Sequence, residues 1–229
     1  MSIFNKSIPQ FFVISLSTLL LFSCASIAPI ANDFPVPKDK AIAWAKQQQR
    51  QARLHAWKLS GLVGIRMESK ADSANLNWQQ NFSSYKIELY GPMGLGATTI
   101  AGKPKFVTLT THDGKKYHAE TAISLMTQIL GWSVPVSGLR YWAKGVPIPN
   151  LPAQMQLNKY GFLSFIKQDG WSIQLSNYRR AGAFIVPAKL VLLRPDLKIT
   201  LIFNRWYHLS KLPPLEPAPI ISSSFKASS

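Results

Sequence analysis

The chain is poor in cysteine and in acid. One cysteine, Cys24, occurs in 229 residues, so no internal disulfide forms and the fold must be held by its core. Ten Asp and Glu stand against 26 Lys and Arg, and those carboxylates are scattered singly, without the pair that glycoside hydrolysis uses. The four histidines, His55, His112, His118 and His208, show neither HExxH spacing nor an acid placed beside them for zinc. Each reads as a surface or internally satisfied residue. GxSxG elbow, P-loop and GxGxxG are all missing. The stretch Gly91-Pro92-Met93-Gly94-Leu95-Gly96 has glycines, but its proline and the lack of a following helix argue against phosphate binding. No enzyme, resident cofactor or metal site is expected.

What is present begins with an address. Residues 1–23 carry one cation, Lys6, then an apolar stretch from Phe11 to Phe22 that is too brief to span a membrane as a mature helix. They close on Leu21-Phe22-Ser23-Cys24. Leu at minus three, Ser at minus one and Cys at plus one look like the lipobox of lipoprotein signal peptides, with Phe22 the less usual residue. Cleavage before Cys24 and acylation there explain both the position and the solitude of the thiol. One acyl chain holds a membrane only marginally, so the N-acyl and diacylglyceryl groups of a bacterial lipoprotein would anchor it firmly. Ala25 follows, not the Asp that signals inner-membrane retention, which favours the periplasmic face of the outer membrane.

Only Lys6 is lost with the signal, so the mature chain keeps 25 minus 10, a formal charge of +15. A charge of that size implies an anionic partner. An exported chain meets phospholipid head groups, lipopolysaccharide and acidic proteins, not nucleic acid.

Four regions follow: a signal at 1–23, a proline-bearing tether at 24–38, one body at 39–210 and a Pro/Ser-rich tail at 211–229. The body starts with a helix over Asp39 to Trp57, capped by Asp39, with a modest stripe of Ile42, Ala45, Gln49, Ala52 and Leu54. The period then becomes two, with Leu59, Gly61, Val63, Ile65 and Met67 on one face. Strands are expected at 75–82, 85–90, 97–101, 106–111 and 115–119, and again at 155–159, 163–168, 171–178, 188–193 and 198–206. Helices fall between, one at 120–130 stopped by Gly131 and one at 136–143 ending near Gly145. The pattern predicts an α+β body on one strongly curved antiparallel sheet of about ten or eleven strands with two or three helices.

Six tryptophans fall in that body: Trp57, Trp78, Trp132, Trp142, Trp171 and Trp206. Aromatic residues on a concave sheet either fill it or line a cavity, and periodicity does not separate the two. The other unusual feature is the turn at 91–96, where a solvent-facing tip offers Met93 and Leu95 beside Pro92, without charge. Such a tip marks an interaction site, and on a tethered protein the partner at hand is lipid; the alternative is a local plug.

These residues resemble the outer-membrane lipoprotein LolB family. The likeness rests on the lipobox, Leu59-Ser-Gly61, Trp78-Gln-Gln80, Tyr85-Lys-Ile-Glu-Leu89 running into Gly91-Pro-Met-Gly94, Asp113-Gly-Lys-Lys-Tyr117, and above all Leu130 to Trp142 (LGWSVPVSGLRYW) with Gly145. Met93 stands where the family commonly has Leu. The resemblance implies an incomplete β-barrel capped by helices around a hydrophobic cavity. That cavity accepts acylated lipoproteins from the soluble carrier LolA and releases them into the outer membrane. It implies an acyl-chain lining drawn from Trp78, Leu89, Ile100, Trp142 and Trp171, with Met93, Pro92 and Leu95 inserting into phospholipid. A monomer is expected. From another class stands a packed scaffold lipoprotein that binds lipopolysaccharide or a partner complex, and beside it a lipid sensor without transfer.

Overall fold

In a computed structural model of the chain, the described residues are 34–91 and 96–208. They form three helices and thirteen strands. Cys24, Pro92, Met93, Leu95, the tether up to 33, the last two residues of the expected body and the whole 211–229 tail lie outside them.

Helix α1, Lys40–Ala52, begins where Asp39 accepts hydrogen bonds from the amides of Ala41 and Ile42 at 2.7 and 3.0 Å, satisfying two of the donors that a helix start leaves open. It stops five residues short of Trp57, because Trp57 belongs to strand β1, Ala56–Arg66, and packs edge-on against Trp78. The seated face also differs from the expected stripe. Ile42 is 55% exposed, while Gln47 and Gln51 are buried and both donate to the carbonyl of Ile185, at 2.7 and 2.6 Å. A shared acceptor on the body, not an apolar stripe, sets the phase of α1.

The sheet then runs through β2 (Ala71–Asn81), β3 (Ser84–Tyr90), β4 (Thr98–Lys103), β5 (Phe106–Thr110) and β6 (Lys116–Ala119). Helices α2 (Ala122–Leu130) and α3 (Val136–Trp142) interrupt it, and β7 (Gln154–Leu157), β8 (Leu163–Gln168), β9 (Trp171–Ser176), β12 (Lys189–Arg194) and β13 (Leu197–His208) complete it. All eleven strands pair antiparallel in the order β6-β5-β4-β3-β2-β1-β13-β12-β9-β8-β7. The outer strands β6 and β7 do not pair with one another, so the sheet is an open shell. A small hairpin, β10 (Arg179–Ala181) and β11 (Phe184–Val186), stands apart and was not legible in the sequence.

Register writes the core. Leu59, Trp78, Ile87, Ile100 and Leu109 lie opposite one another across five strands, and all are buried. On the other wing Ile65, Ile199, Leu192, Ile173 and Ile166 do the same. Cross-strand rows of this kind are the unit of sheet stabilisation. Strand β13 carries a bulge at Asn204, the one residue left over between the pairs Ser60–Arg205 and Gly61–Phe203. A Cβ on Gly61 would collide with the Ile202 carbonyl, so the close approach of these two strands requires glycine.

Helix α2 is capped by Thr121 and ends on Gly131 at φ 75, as a C-terminal glycine should. It seats Ala122, Leu125 and Met126, whereas Ile123 is 46% exposed. The expected face of Ile123, Met126, Ile129 and Leu130 is therefore rotated: Leu125 and Met126 are both driven into the shell, and Ile129 and Leu130 pack only partly.

Candidate functional site

Two clefts open from this framework, and they differ in chemistry. The first lies inside the shell, between its concave face and the helical cover. Val63, Leu76, Trp78, Ile87, Leu89, Ile100, Ile199 and Leu201 line it from the sheet, and Met126, Trp132, Val134, Val136 and Leu139 from α2, α3 and their connection. Every lining residue is apolar. Its volume is about 40 Å³, an order of magnitude below the ~300–1,000 Å³ of ordinary ligand pockets. In this state the interior is nearly filled by its own side chains.

Three of the five expected lining residues, Trp78, Leu89 and Ile100, meet there. Trp142 and Trp171 do not line this cleft. The Trp142 indole donates to Gln168 Oε1 at 3.0 Å, and Gln168 in turn donates to the carbonyls of Ile148 and Leu151, both at 3.0 Å. Trp142 thus belongs to a knot that ties α3 and the following loop to β8. Trp171 is buried on the far wing with the Arg194 guanidinium 4.9 Å over its ring, a packing contact. A tryptophan pattern does not distinguish an aromatic that lines a space from one that fills it.

The second cleft lies at the end of the strands where β2 turns into β3. Its volume is about 550 Å³, within the range of ligand sites. It is walled by the end of α1, by Leu54, His55 and Trp57, by Gln80, Phe82 and Ser83, and by Arg140, Tyr141 and Lys144 with Val146, Pro147 and Pro149. Apolar walls meet two cations here, and no carboxylate lines it. A smaller recess of about 340 Å³ adjoins it, sharing Gln80, Ser83 and Arg140, and adds Lys103, Lys105 and Glu120.

The cations are positioned with care. Lys144 is 7% exposed. Its Nζ donates to the carbonyls of Gln51 and Leu54, at 3.3 and 3.1 Å, satisfying acceptors at the end of α1. Burial, and then the nearby charge of Arg140, push its pKa down to about 8. Arg140 donates to the Phe82 carbonyl at 2.9 Å and to the Tyr141 hydroxyl at 3.1 Å. The Tyr141 ring lies under both charges, 4.9 Å from the Arg140 guanidinium and 5.4 Å from the Lys144 ammonium. Three ion pairs exist among the described residues, and none involves either cation. This pair was not singled out from the sequence, although like charges four residues apart were there to be noticed.

No group of three or more His, Cys, Asp or Glu among the described residues could hold a metal. Tyr85 and Tyr178 are buried phenols whose pKa burial raises, Tyr85 to about 12. Tyr178 donates to the Leu163 carbonyl at 2.6 Å, a structural role.

Comparison with known proteins agrees with this geometry. A family model described as outer membrane lipoprotein LolB matches residues 55–206. The outer-membrane lipoprotein LolB of Chromohalobacter salexigens is 39% identical over 191 residues, covering 83% of this chain and 87% of that protein. That of Stutzerimonas stutzeri is 32% identical over 188 residues, covering 82% and 90%. Among solved structures, a LolA superfamily protein from Nitrosomonas europaea superposes with a TM-score of 0.52 at 9% identity, covering 76% of this chain and 94% of its own. A similarity that remote speaks of the fold alone.

Proposed function

The chain belongs to the outer-membrane lipoprotein LolB family, and from that premise we propose that it is an outer-membrane lipoprotein receptor in lipoprotein localisation. In this reading Cys24 carries the anchor, the apolar interior shelters acyl chains handed over by the carrier LolA, and Met93 with Pro92 and Leu95 touches the bilayer. The observation that carries it is the unbroken apolar lining of the inner cleft under a cover of two short helices.

The physics supplies the direction. Each methylene hidden from water is worth about 0.8 kcal/mol, so a triacylated cargo does not cross the periplasm unescorted. No motif implies ATP, and transfer therefore runs down a gradient of affinity from carrier to receptor to membrane. Since the resting cleft holds only about 40 Å³, entry of a chain requires α2 and the 131–135 connection to move off the sheet. Tyr90 and Thr98, which flank the 91–96 segment, lie at the opposite end of the strands from the Phe82-Ser83 turn.

The near-filled interior favours one competing reading, a packed scaffold lipoprotein. Uptake of a fluorescent fatty acid by the full chain carrying Cys24→Ser separates the two. A receptor takes up the probe, with α2 displaced; a scaffold takes up none. Met93→Glu is expected to accept acylated cargo and deliver it poorly. Normal delivery by that variant removes the loop from the mechanism.

A further inference from the structure

We propose that the cationic cleft between α1, α3 and the β2–β3 turn binds a single-chain anionic amphiphile, an acyl chain ending in one phosphate or carboxylate. This goes beyond the receptor reading and does not rest on it. The chains of a lipoprotein anchor hang on amide and ester groups without charge, and two cations contribute nothing to their recognition.

Three observations carry the assignment. First, Arg140 and Lys144 share a pocket of about 550 Å³ that no carboxylate lines, and the proximity of Arg140 disfavours the charge on Lys144. Like charges brought together in partial burial are relieved by an anion between them. Second, both retain donors. Lys144 uses two of its three N–H bonds on the carbonyls of Gln51 and Leu54, and Arg140 gives one N–H from each terminal nitrogen to Phe82 and Tyr141 while keeping three more for an anion. Third, most of the remaining wall is apolar, Leu54, Trp57, Val146 and Pro147 standing beside Gln80 and Ser83, which suits an alkyl chain and not a free ion.

Phe82 adds an independent sign. It occupies the β2–β3 turn at φ 51, a left-handed conformation that a bulky side chain adopts only at a cost and that Asn or Gly would take readily. It is nonetheless 66% exposed, stacked on His55 with ring centroids 5.1 Å apart at the mouth of the cleft. Its carbonyl is held by both Gln80 and Arg140. A strained, exposed aromatic fixed over a pocket does nothing for the fold and much for a hydrocarbon tail.

The test is titration calorimetry of the full chain carrying Cys24→Ser with dodecyl phosphate, dodecanoate, dodecyl maltoside and inorganic phosphate, all below micelle formation. Dodecyl phosphate or dodecanoate should bind one site at least about tenfold more tightly than the neutral maltoside. A preference for the phosphate identifies a lipid head group as the source, and a preference for the carboxylate a free fatty acid. Arg140→Gln should remove most of that preference while Arg140→Lys keeps it; if Lys144→Met proves unstable, the Arg140 pair decides. Phe82→Asn should weaken every twelve-carbon ligand while the melting temperature holds or rises, a combination no structural role produces. Equal affinity for charged and neutral chains overturns the proposal, as does inorganic phosphate binding as tightly as dodecyl phosphate.

Discussion

The two clefts of this protein are opposites. The inner one is lined only by apolar residues and has shrunk to about 40 Å³, while the outer one, with Arg140 and Lys144 in its wall, stands open at about 550 Å³. The difference follows from what each surface does when empty. An apolar wall left wet costs roughly 25 cal/mol per Å², so the side chains under α2 close on one another. A cation loses hydration when covered; Lys144 is buried and has two carbonyls in place of water, while half-buried Arg140 walls a pocket that stays open. The greasy site is the one that must be opened by its guest.

The sharpest way to break this comparison is Trp78→Ala. Trp78 is 1% exposed in the inner cleft, and its truncation should cost about 3–5 kcal/mol in urea denaturation if the interior is close-packed. A loss well under ~1 kcal/mol would mean the interior is already slack.

The next effect is a pH dependence from the outer cleft. Lys144 falls from its ordinary 10.5 to about 8 in the folded chain, so between those values the unfolded chain binds more protons and stability rises with pH. The penalty for holding the cation buried is present below about 8 and is relieved as pH climbs, approaching ~3 kcal/mol at about 1.4 kcal/mol per unit. Tyr85, raised to about 12, acts in the other direction above its unfolded value of about 10. Denaturation of the parent and of Lys144→Met at pH 7.5 and pH 9.5 isolates the lysine: the parent should gain on the variant as pH rises, and parallel curves would remove the buried-cation account.

The smallest effect sharpens the contrast between the helical covers. Asp39→Ala removes the cap of α1 and should cost about 1 kcal/mol. Because α1 walls the outer cleft and α2 the inner one, the anion preference should weaken while fatty-acid uptake stays unchanged. A loss of uptake instead would show that α1 governs both.

Much of this was legible before the structure. Period-two burial on β1, the glycine stop at Gly131 and the single antiparallel sheet all follow from local chemistry that tertiary contacts did not override, whereas the open edges of that sheet were implied only by the family resemblance. The phase of the helices was not legible, since Gln47 and Gln51 are seated by a carbonyl on Ile185, more than 130 residues away. The role of each tryptophan was also hidden: Trp78 lines a space and Trp142 fills one, and only the position of Gln168 tells them apart. The cation pair escaped because its meaning lies in what is missing nearby, a carboxylate, and that absence exists only in three dimensions.

The unpaired outer strands have a mechanical consequence. A closed barrel has its girth fixed by strand number and stagger, so it swells only by breaking a ladder. Here the hydrogen-bond sequence ends at β6 and β7, and the two wings can spread about the β1–β13 bulge at Asn204 with every rung intact. Such a vessel adjusts its bore to what it holds, and its backbone resists neither a thin load nor a bulky one.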